Sequence, residues 1–315
     1  MTRTPYNSVM TADSVADVKR EILVRHLEAW APAALHRARR ATYAHGYADA
    51  GPDLAEAALR VFAEQSDLVR GRELTMVAVG EQTTEVGERL AAVQRDADAV
   101  AGLSVHTVAG GTDASLAVAL TAAGAARVPL LGFLDATAAG VPPAAATVAA
   151  IAAGRPAEAI IVLRAEGFAP EEYRAGLHAA GFPLVAAVEL AVDERPGEVL
   201  IFATAAGKSL EGFKDTLWAV DEYAGVRYRD PGDPERHLID ISLNPHPGPL
   251  RRELLSHLAE VGEATVTELR TFALTETVYR AADATRVLHA LLTAGSVTRR
   301  PEHGRLGGDV VIAAG

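Results

Sequence analysis

The chain has 315 residues, is 49% apolar and 23% charged, carries a net charge of −11 and contains no cysteine. That length suits one large domain plus a small one, with apolar residues enough for a sizeable core. Disulfides, thiolate metal sites and cysteine nucleophiles are excluded, and the acidic balance disfavours bulk binding to nucleic-acid phosphates. The apolar residues are mainly Ala, Val and Leu with only 5% aromatics, which suits helices packed on a buried sheet. Residues 1–14 are polar with no apolar signal core, and the apolar run 114–126 is too short to span a bilayer. A cytoplasmic protein with no membrane partner is therefore expected.

Taken in order, residues 14–30 read as an amphipathic helix, with Val15, Val18, Ile22 and Trp30 near helical spacing, Ser14 and Asp17 at its start, and Pro32 limiting it. Apolar runs at 41–44, 74–79, 103–108, 128–134 and 159–163 then predict strands. Helical stretches follow at 54–64, 84–94, 115–123, 143–153 and 171–179. Five strand–helix units in series argue for a parallel, doubly wound sheet. Runs 182–190 and 198–204 have no helix between them and predict an antiparallel hairpin. Alternation ending in such a hairpin is the signature of a Rossmann-like, class I methyltransferase-type α/β sheet. Residues 221–247 are rich in Asp, Pro, Gly and Arg and read as a linker or surface excursion. From 248 onward, helices at 250–260, from Thr265 and at 281–293, then strands at 296–300 and 309–313, predict a C-terminal winged helix. Thr265-Val266-Thr267-Glu268 matches a capping box. The expected division is a helical segment 1–35, an α/β domain 36–220, a linker 221–247 and a winged-helix domain 248–315.

A sheet of this type binds S-adenosylmethionine at the C-terminal ends of its first strands. There a glycine turn admits the ligand to the backbone, and an acid after the second strand holds the ribose. The turn here is His45-Gly46-Tyr47-Ala48-Asp49-Ala50-Gly51-Pro52, and the second strand ends at Gly80-Glu81. Glycine turns and strand-end acids are common, so Glu81 as part of a solvated helix start is equally open. Asp135, at the end of the fourth strand, points into the same crevice, where it either meets substrate or caps the next helix. His45 is open to two readings, general base or buried neutral imidazole.

Other motifs fall short. Ala206-Gly207-Lys208-Ser209 imitates the end of a phosphate-binding loop, but Phe202 stands where its first glycine belongs, so a helix start is the better reading. The histidines show no HExxH spacing, so no metal site is expected, and no Gly-x-Ser-x-Gly elbow exists. Arg37, Arg39 and Arg40, and Arg299, Arg300 and Arg305, are small enough to be solvated faces. The third helix of the winged segment offers only Arg286 and His289 as donors, and Asp283 would oppose phosphate, so a protein-interaction role is expected rather than DNA reading.

Several blocks resemble the three-Cys-motif partner (TcmP) proteins, which join a methyltransferase-like domain to a winged helix. They are Lys19-Arg20-Glu21-Ile22-Leu23, Leu27-Glu28-Ala29-Trp30, Ile201-Phe202-Ala203-Thr204, Thr275-Glu276-Thr277-Val278-Tyr279-Arg280 and, most specifically, Phe213-Lys214-Asp215-Thr216-Leu217-Trp218. The likeness runs from about Val15 to Ile312. It implies an S-adenosylmethionine crevice formed by Gly46, Tyr47, Asp49, Gly51, Glu81, Gly110 and Asp113, with Asp135 and His45 as candidate catalytic groups. It also implies a radical-type enzyme as protein partner.

The ligand-side blocks depart from the family. Its first turn, Tyr-Ile-Asp-Gly-Phe-Ala-Gly-Pro-Gly, falls on 43–51, where the acid has become His45 and one glycine Asp49. The latter would set a charge near the ligand's carboxylate. Gly-Asp after the third strand becomes Gly110-Gly111, with Asp113 two positions late. Of Asp-Pro-Phe-Gly after the fourth, only Asp135 persists, although Gly140-Val141-Pro142 matches downstream. A degenerate, partner-binding relative is thus expected. The alternatives are an active methyltransferase or an enzyme using the crevice for other chemistry.

Overall fold

The computed structural model describes residues 6–65, 67, 71–96, 100–220, 226–233, 235–239 and 248–315, with only the backbone at 6–13. The chain divides into two compact units, Met1–Gly207 with Glu222–Ile239, and Lys208–Asp221 with Asp240–Gly315.

The first unit begins with helix α1 (Tyr6–Arg37). Five strand–helix steps follow: β1 (Arg40–Gly46), α2 (Pro52–Glu64), β2 (Glu73–Gly80), α3 (Thr84–Asp96), β3 (Leu103–Ala109), α4 (Thr112–Ala122), β4 (Leu130–Asp135), α5 (Ala145–Ala152), β5 (Ala157–Arg164) and α6 (Pro170–Ala180). The hairpin β6 (Leu184–Ala191) and β7 (Glu198–Thr204) closes the series. With β8 (Arg227–Arg229) and β9 (Leu238–Ile239), the nine strands lie in the order β3-β2-β1-β4-β5-β7-β6-β8-β9. The first five are parallel, and β7 runs antiparallel between β5 and β6. This is the mostly parallel, Rossmann-like sheet of class I methyltransferases, with its topological switch where β1 meets β4.

Every residue of β4 is buried, as are all but the last of β5, because helices cover both faces; β3 forms the edge and is half-exposed. Gly132 lets α5 approach β4 closely, since a Cβ there would overlap Ile151.

Three expectations change. The first helix continues to Arg37 through Pro32, because Trp30, Ala31, Ala34 and Leu35 extend its buried face. That packing outweighs the cost of one proline. Residues 221–247 are not wholly a linker. Arg227–Arg229 and Leu238–Ile239 extend the large sheet, with Tyr228 buried and the Arg229 guanidinium 3.6 Å from the buried Glu189 carboxylate. The parts of that stretch at 221–225, 234 and 240–247 lie outside the described residues. Finally, α7 (Gly207–Ala219) groups with the second unit almost entirely, so the expected boundary at 220 moves to 207.

The second unit adds α8 (Gly248–Val261), β10 (Glu263–Thr265), α9 (Val266–Glu276), α10 (Ala281–Thr293), β11 (Val297–Arg300) and β12 (Val311–Ala314), with a small antiparallel sheet in the order β10-β12-β11. Both halves of the Thr265–Glu268 capping box form. Buried Lys214 of α7 donates to the carbonyls of Ala273 (3.3 Å), Thr277 (2.5 Å) and Tyr279 (2.9 Å), satisfying the end of α9. Arg280 lies 4.7 Å over the Trp218 ring. Asp283 is buried and paired with Arg280 (2.9 Å) and Arg286 (3.4 Å), so it does not stand opposite an incoming phosphate. Arg299 is no solvated patch residue either. It donates to the carbonyls of Pro301, Gly304 and Arg305 and ties the hairpin turn together.

Candidate functional site

The candidate crevice lies at the C-terminal ends of β1, β2 and β4. Gly46 ends β1, yet its bare backbone faces other side chains. A Cβ there would sit 2.5 Å from Leu134 Cδ2 and 2.7 Å from Thr112 Cγ2. The next residue, Tyr47, turns the chain at φ 54°, a left-handed conformation costly for a bulky residue. Its N–H donates to Thr112 Oγ1 (2.6 Å) and its hydroxyl to Asp113 Oδ2 (3.1 Å). Burial, and then the Asp113 charge, push the Tyr47 phenol well above its ordinary range.

Asp113 is committed to the scaffold. Besides Tyr47 it accepts from the Ala144 N–H (3.0 Å) and the Thr147 hydroxyl (2.6 Å), bracing the start of α4 against the start of α5. Asp49 accepts from the N–H groups of Glu81 (3.1 Å) and Gln82 (3.3 Å), and its other oxygen fills the space above Gly80. Its charge therefore serves the end of β2, not a position beside a ligand's carboxylate. Glu81 folds over Gly111, where a Cβ would overlap its Oε1. Gly110 and Gly111 take φ +111° and +82°, and both donate to the Gly80 carbonyl (3.1 and 3.2 Å). Gly51 begins α2 at an ordinary φ of −144° and makes no close approach.

The two candidate catalytic groups are also engaged. His45 is 1% exposed, its Nδ1 lies 2.8 Å from the Tyr43 hydroxyl, and its ring centroid lies 5.0 Å from that of Phe133. Burial lowers its pKa to about 4, against the opposing pull of Asp135. Of the two readings open to it, burial and the Tyr43 contact favour the buried neutral imidazole. Asp135 does not cap the next helix. It accepts from the hydroxyl (2.6 Å) and N–H (3.2 Å) of Thr137 and pairs with Lys19 Nζ at 2.7 Å. Lys19 also meets Glu198 of β7 at 2.8 Å. Burial alone would lower the Lys19 pKa, but the charges of Asp135 and Glu198 raise it. Burial raises Glu198, opposed by Lys19.

Lys19, Thr112, Leu134 and Glu198 were not expected here. Lys19 carried a signal, since it falls between Val18 and Ile22 on the buried stripe of α1. The covering role of Thr112 and Leu134 had none.

Two cavities flank the ion cluster and share Thr137. One of about 410 Å³ is lined by Lys19, Arg20, Gly51, Arg60 and Asp135, the other of about 490 Å³ by Val15, Arg164, Arg195 and Glu198. A third, of about 350 Å³, lies between α5 and α6. None of the three is lined by Tyr47, Asp49, Glu81, Gly110 or Asp113. Among the described residues no cluster of three or more His, Asp or Glu side chains is placed to hold a metal, and no helix is long and apolar enough to cross a membrane.

Three glycines at the strand tips are crowded by the chain's own side chains, while Gly51 is open. A cofactor cradle needs bare glycine backbone, and the space at Gly46, Gly80 and Gly111 is taken by the chain's own Leu134, Thr112, Asp49 and Glu81.

No protein-family model and no curated protein matches the chain. Some solved structures overlap it in part. They include EvdMO1 (13% identity, 54% of this chain and 38% of that one, TM-score 0.35). A second is Haemonchus contortus phosphoethanolamine N-methyltransferase 1 in complex with phosphoethanolamine and S-adenosylhomocysteine (13%, 52% and 36%, TM-score 0.36). A third is an rRNA methylase from Streptococcus thermophilus (8%, 56% and 92%, TM-score 0.33). The chain spans little more than a third of the first two. The strand order, not these overlaps, carries the assignment of fold.

Proposed function

We propose that this chain is a methyltransferase-fold protein that has given up the adenosyl cofactor and acts by binding another protein. The observation that carries this reading is the filled cradle. Thr112 and Leu134 cover Gly46, Asp49 covers Gly80 and Glu81 covers Gly111. Tyr47 and Asp113 then bond to one another at the mouth. Side chains drawn from β4, the β1–α2 turn, the end of β2 and the start of α4 would all have to move before an adenosyl group could lie against the backbone.

The resemblance to three-Cys-motif partner proteins supports a protein partner, of the radical-enzyme class that the family name implies. The second unit suits that role as a winged helix used for protein contact, since Arg280, Arg286, Arg299 and Arg300 are committed to internal pairs or carbonyls. A chain without cysteine fits a reducing cytoplasm.

Calorimetric titration of the full chain with S-adenosylmethionine and S-adenosylhomocysteine tests the reading. The expected result is no heat and no thermal shift at millimolar ligand. Micromolar binding that Glu81→Ala abolishes would return the chain to the active methyltransferases. A second reading, an enzyme using the rim for other chemistry, is favoured by the two cavities beside Lys19 and Asp135. Turnover of a small molecule that survives removal of all adenosyl cofactor and stops in Lys19→Met would establish it.

A further inference from the structure

The cavity of about 350 Å³ between α5 and α6 differs in character from the two beside Lys19. Its lining is largely apolar: Pro142 and Pro143 ahead of α5, Val148 of α5, Phe168 ahead of α6, and Tyr173 and Leu177 of α6. Phe168 and Tyr173 are half-buried, with ring centroids 5.7 Å apart, so part of each ring stays uncovered. The Tyr173 hydroxyl is itself buried, so the ring is what the cavity presents. A concave apolar site with few polar groups, of about 300–1,000 Å³, is the usual form of a small-molecule site.

Two residues of α6 sharpen this. Gly176 stands inside the helix, where glycine is less stable than alanine. Neither a positive φ nor a close neighbour requires it, since a Cβ there would meet nothing within 4 Å. Its effect is to leave the cavity wall open. Glu172 is the one charged residue of the lining, is exposed, and has no hydrogen-bond or ion-pair partner among the described residues. The charges around it lean the same way. Glu166 and Glu171 are exposed on the approach to α6, and Asp113 lies against the start of α5. Arg164 donates to the Thr137 carbonyl, Arg155 to the carbonyls of Ala152 and Gly154, and Arg174 is also engaged. None of these arginines, nor His178, lines the cavity.

We propose that this cavity binds a small hydrophobic amine, an aromatic body carrying one cationic nitrogen. Burial of the body against the apolar walls supplies the drive, and the proline and aromatic rings offer flat surfaces for a ligand ring. The nitrogen is matched by the unpaired Glu172 carboxylate at the rim and by the uncovered faces of Phe168 and Tyr173. An anion would meet Glu172 with no cation in the lining to balance it. A neutral ligand would gain the burial and forgo the charge. The cavity shares no lining residue with the filled cradle, so the inference stands whether or not an adenosyl cofactor binds.

Titration of the full chain at neutral pH with 2-phenylethylamine, its uncharged isostere 2-phenylethanol and the anion phenylacetate tests it, read by NMR at the amides of Gly167 and Gly176. For a probe of this size the amine should bind with a Kd on the order of 0.1–1 mM. The alcohol should bind about three- to fivefold more weakly, the worth of one exposed charge pair, and phenylacetate most weakly of the three. Glu172→Gln should bring amine and alcohol to the same affinity with an unchanged melting temperature. Gly176→Leu should weaken both about tenfold or more while the melting temperature holds or rises, since leucine is the better helix former. An amine that shifts neither amide at about 10 mM would overturn the proposal. So would an alcohol that binds the wild type as well as the amine does, or binding that Gly176→Leu leaves intact.

Discussion

His45 stands at the end of β1, where a working crevice of this fold carries an acid, and burial decides its chemistry. Its folded pKa of about 4 lies below the 6.5 of an unfolded histidine. As pH falls, the unfolded chain therefore takes up the proton first. The stability contributed by the neutral ring is fully present above pH 6.5 and drains away between 6.5 and 4. From pH 7 to pH 5 the loss from this group is about 2 kcal/mol. In His45→Asn that component should vanish, so urea unfolding should show the wild type losing about 2 kcal/mol more than the variant over the interval. Equal losses would mean the imidazole reaches solvent, and its candidacy as a base would reopen. The sequence placed Gly46, Asp49, Glu81 and Asp113 at the strand tips, because turn glycines and strand-end acids are local features. What covers them was not legible. Thr112 and Asp113 come from beyond β3, and a partner 65 residues away leaves no mark on either segment.

Among the elements, α1 meets the rim through a buried cation. Lys19 reaches Asp135 on β4 and Glu198 on β7, and in Lys19→Met those two carboxylates would face each other unpaired. Breaking such a cluster from one side costs about 3–5 kcal/mol. The cost depends on pH. Burial already raises the Glu198 pKa against the pull of Lys19, and without the cation it rises further above its unfolded value, so stability present at low pH is lost as pH rises through it. Lys19→Met should therefore be more damaging at pH 8 than at pH 5, and adding Glu198→Gln should recover about half of the loss at pH 8. Thermal melts of the three proteins at both pH values measure this. A deficit below about 1 kcal/mol at pH 8 would mean that the α1 end is not seated on the rim. The parallel strands themselves were legible, since burial on both faces leaves unbroken apolar runs such as 130–134. β8 was not. Its two arginines read as loop, and it is the pairing of Arg229 with Glu189 on a distant strand that ties the segment to the sheet. β10 has three residues, too few for a period of two to show.

For the whole molecule, the decisive feature is that α7 follows the last central strand yet belongs to the other unit. The chain leaves the large sheet after β7, contributes α7 to the second unit, returns for β8 and β9, and departs again. Composition alone suggested a self-sufficient domain from 248 onward, but that segment lacks the lysine that closes α9. Without α7, the carbonyls of Ala273, Thr277 and Tyr279 lose their shared donor, and Arg280 loses the Trp218 ring and Asp215 at 3.7 Å. Each buried carbonyl left unpaired costs about 1–3 kcal/mol. A unit of this size has only about 3–5 kcal/mol to lose. The fragment 248–315 should thus be largely unfolded by circular dichroism and by amide dispersion in NMR. A synthetic peptide covering 207–221 should restore both signals, and the same peptide with Lys214→Met should not. A fragment that folds unaided would make α7 an accessory of the second unit and return the domain boundary to residue 220.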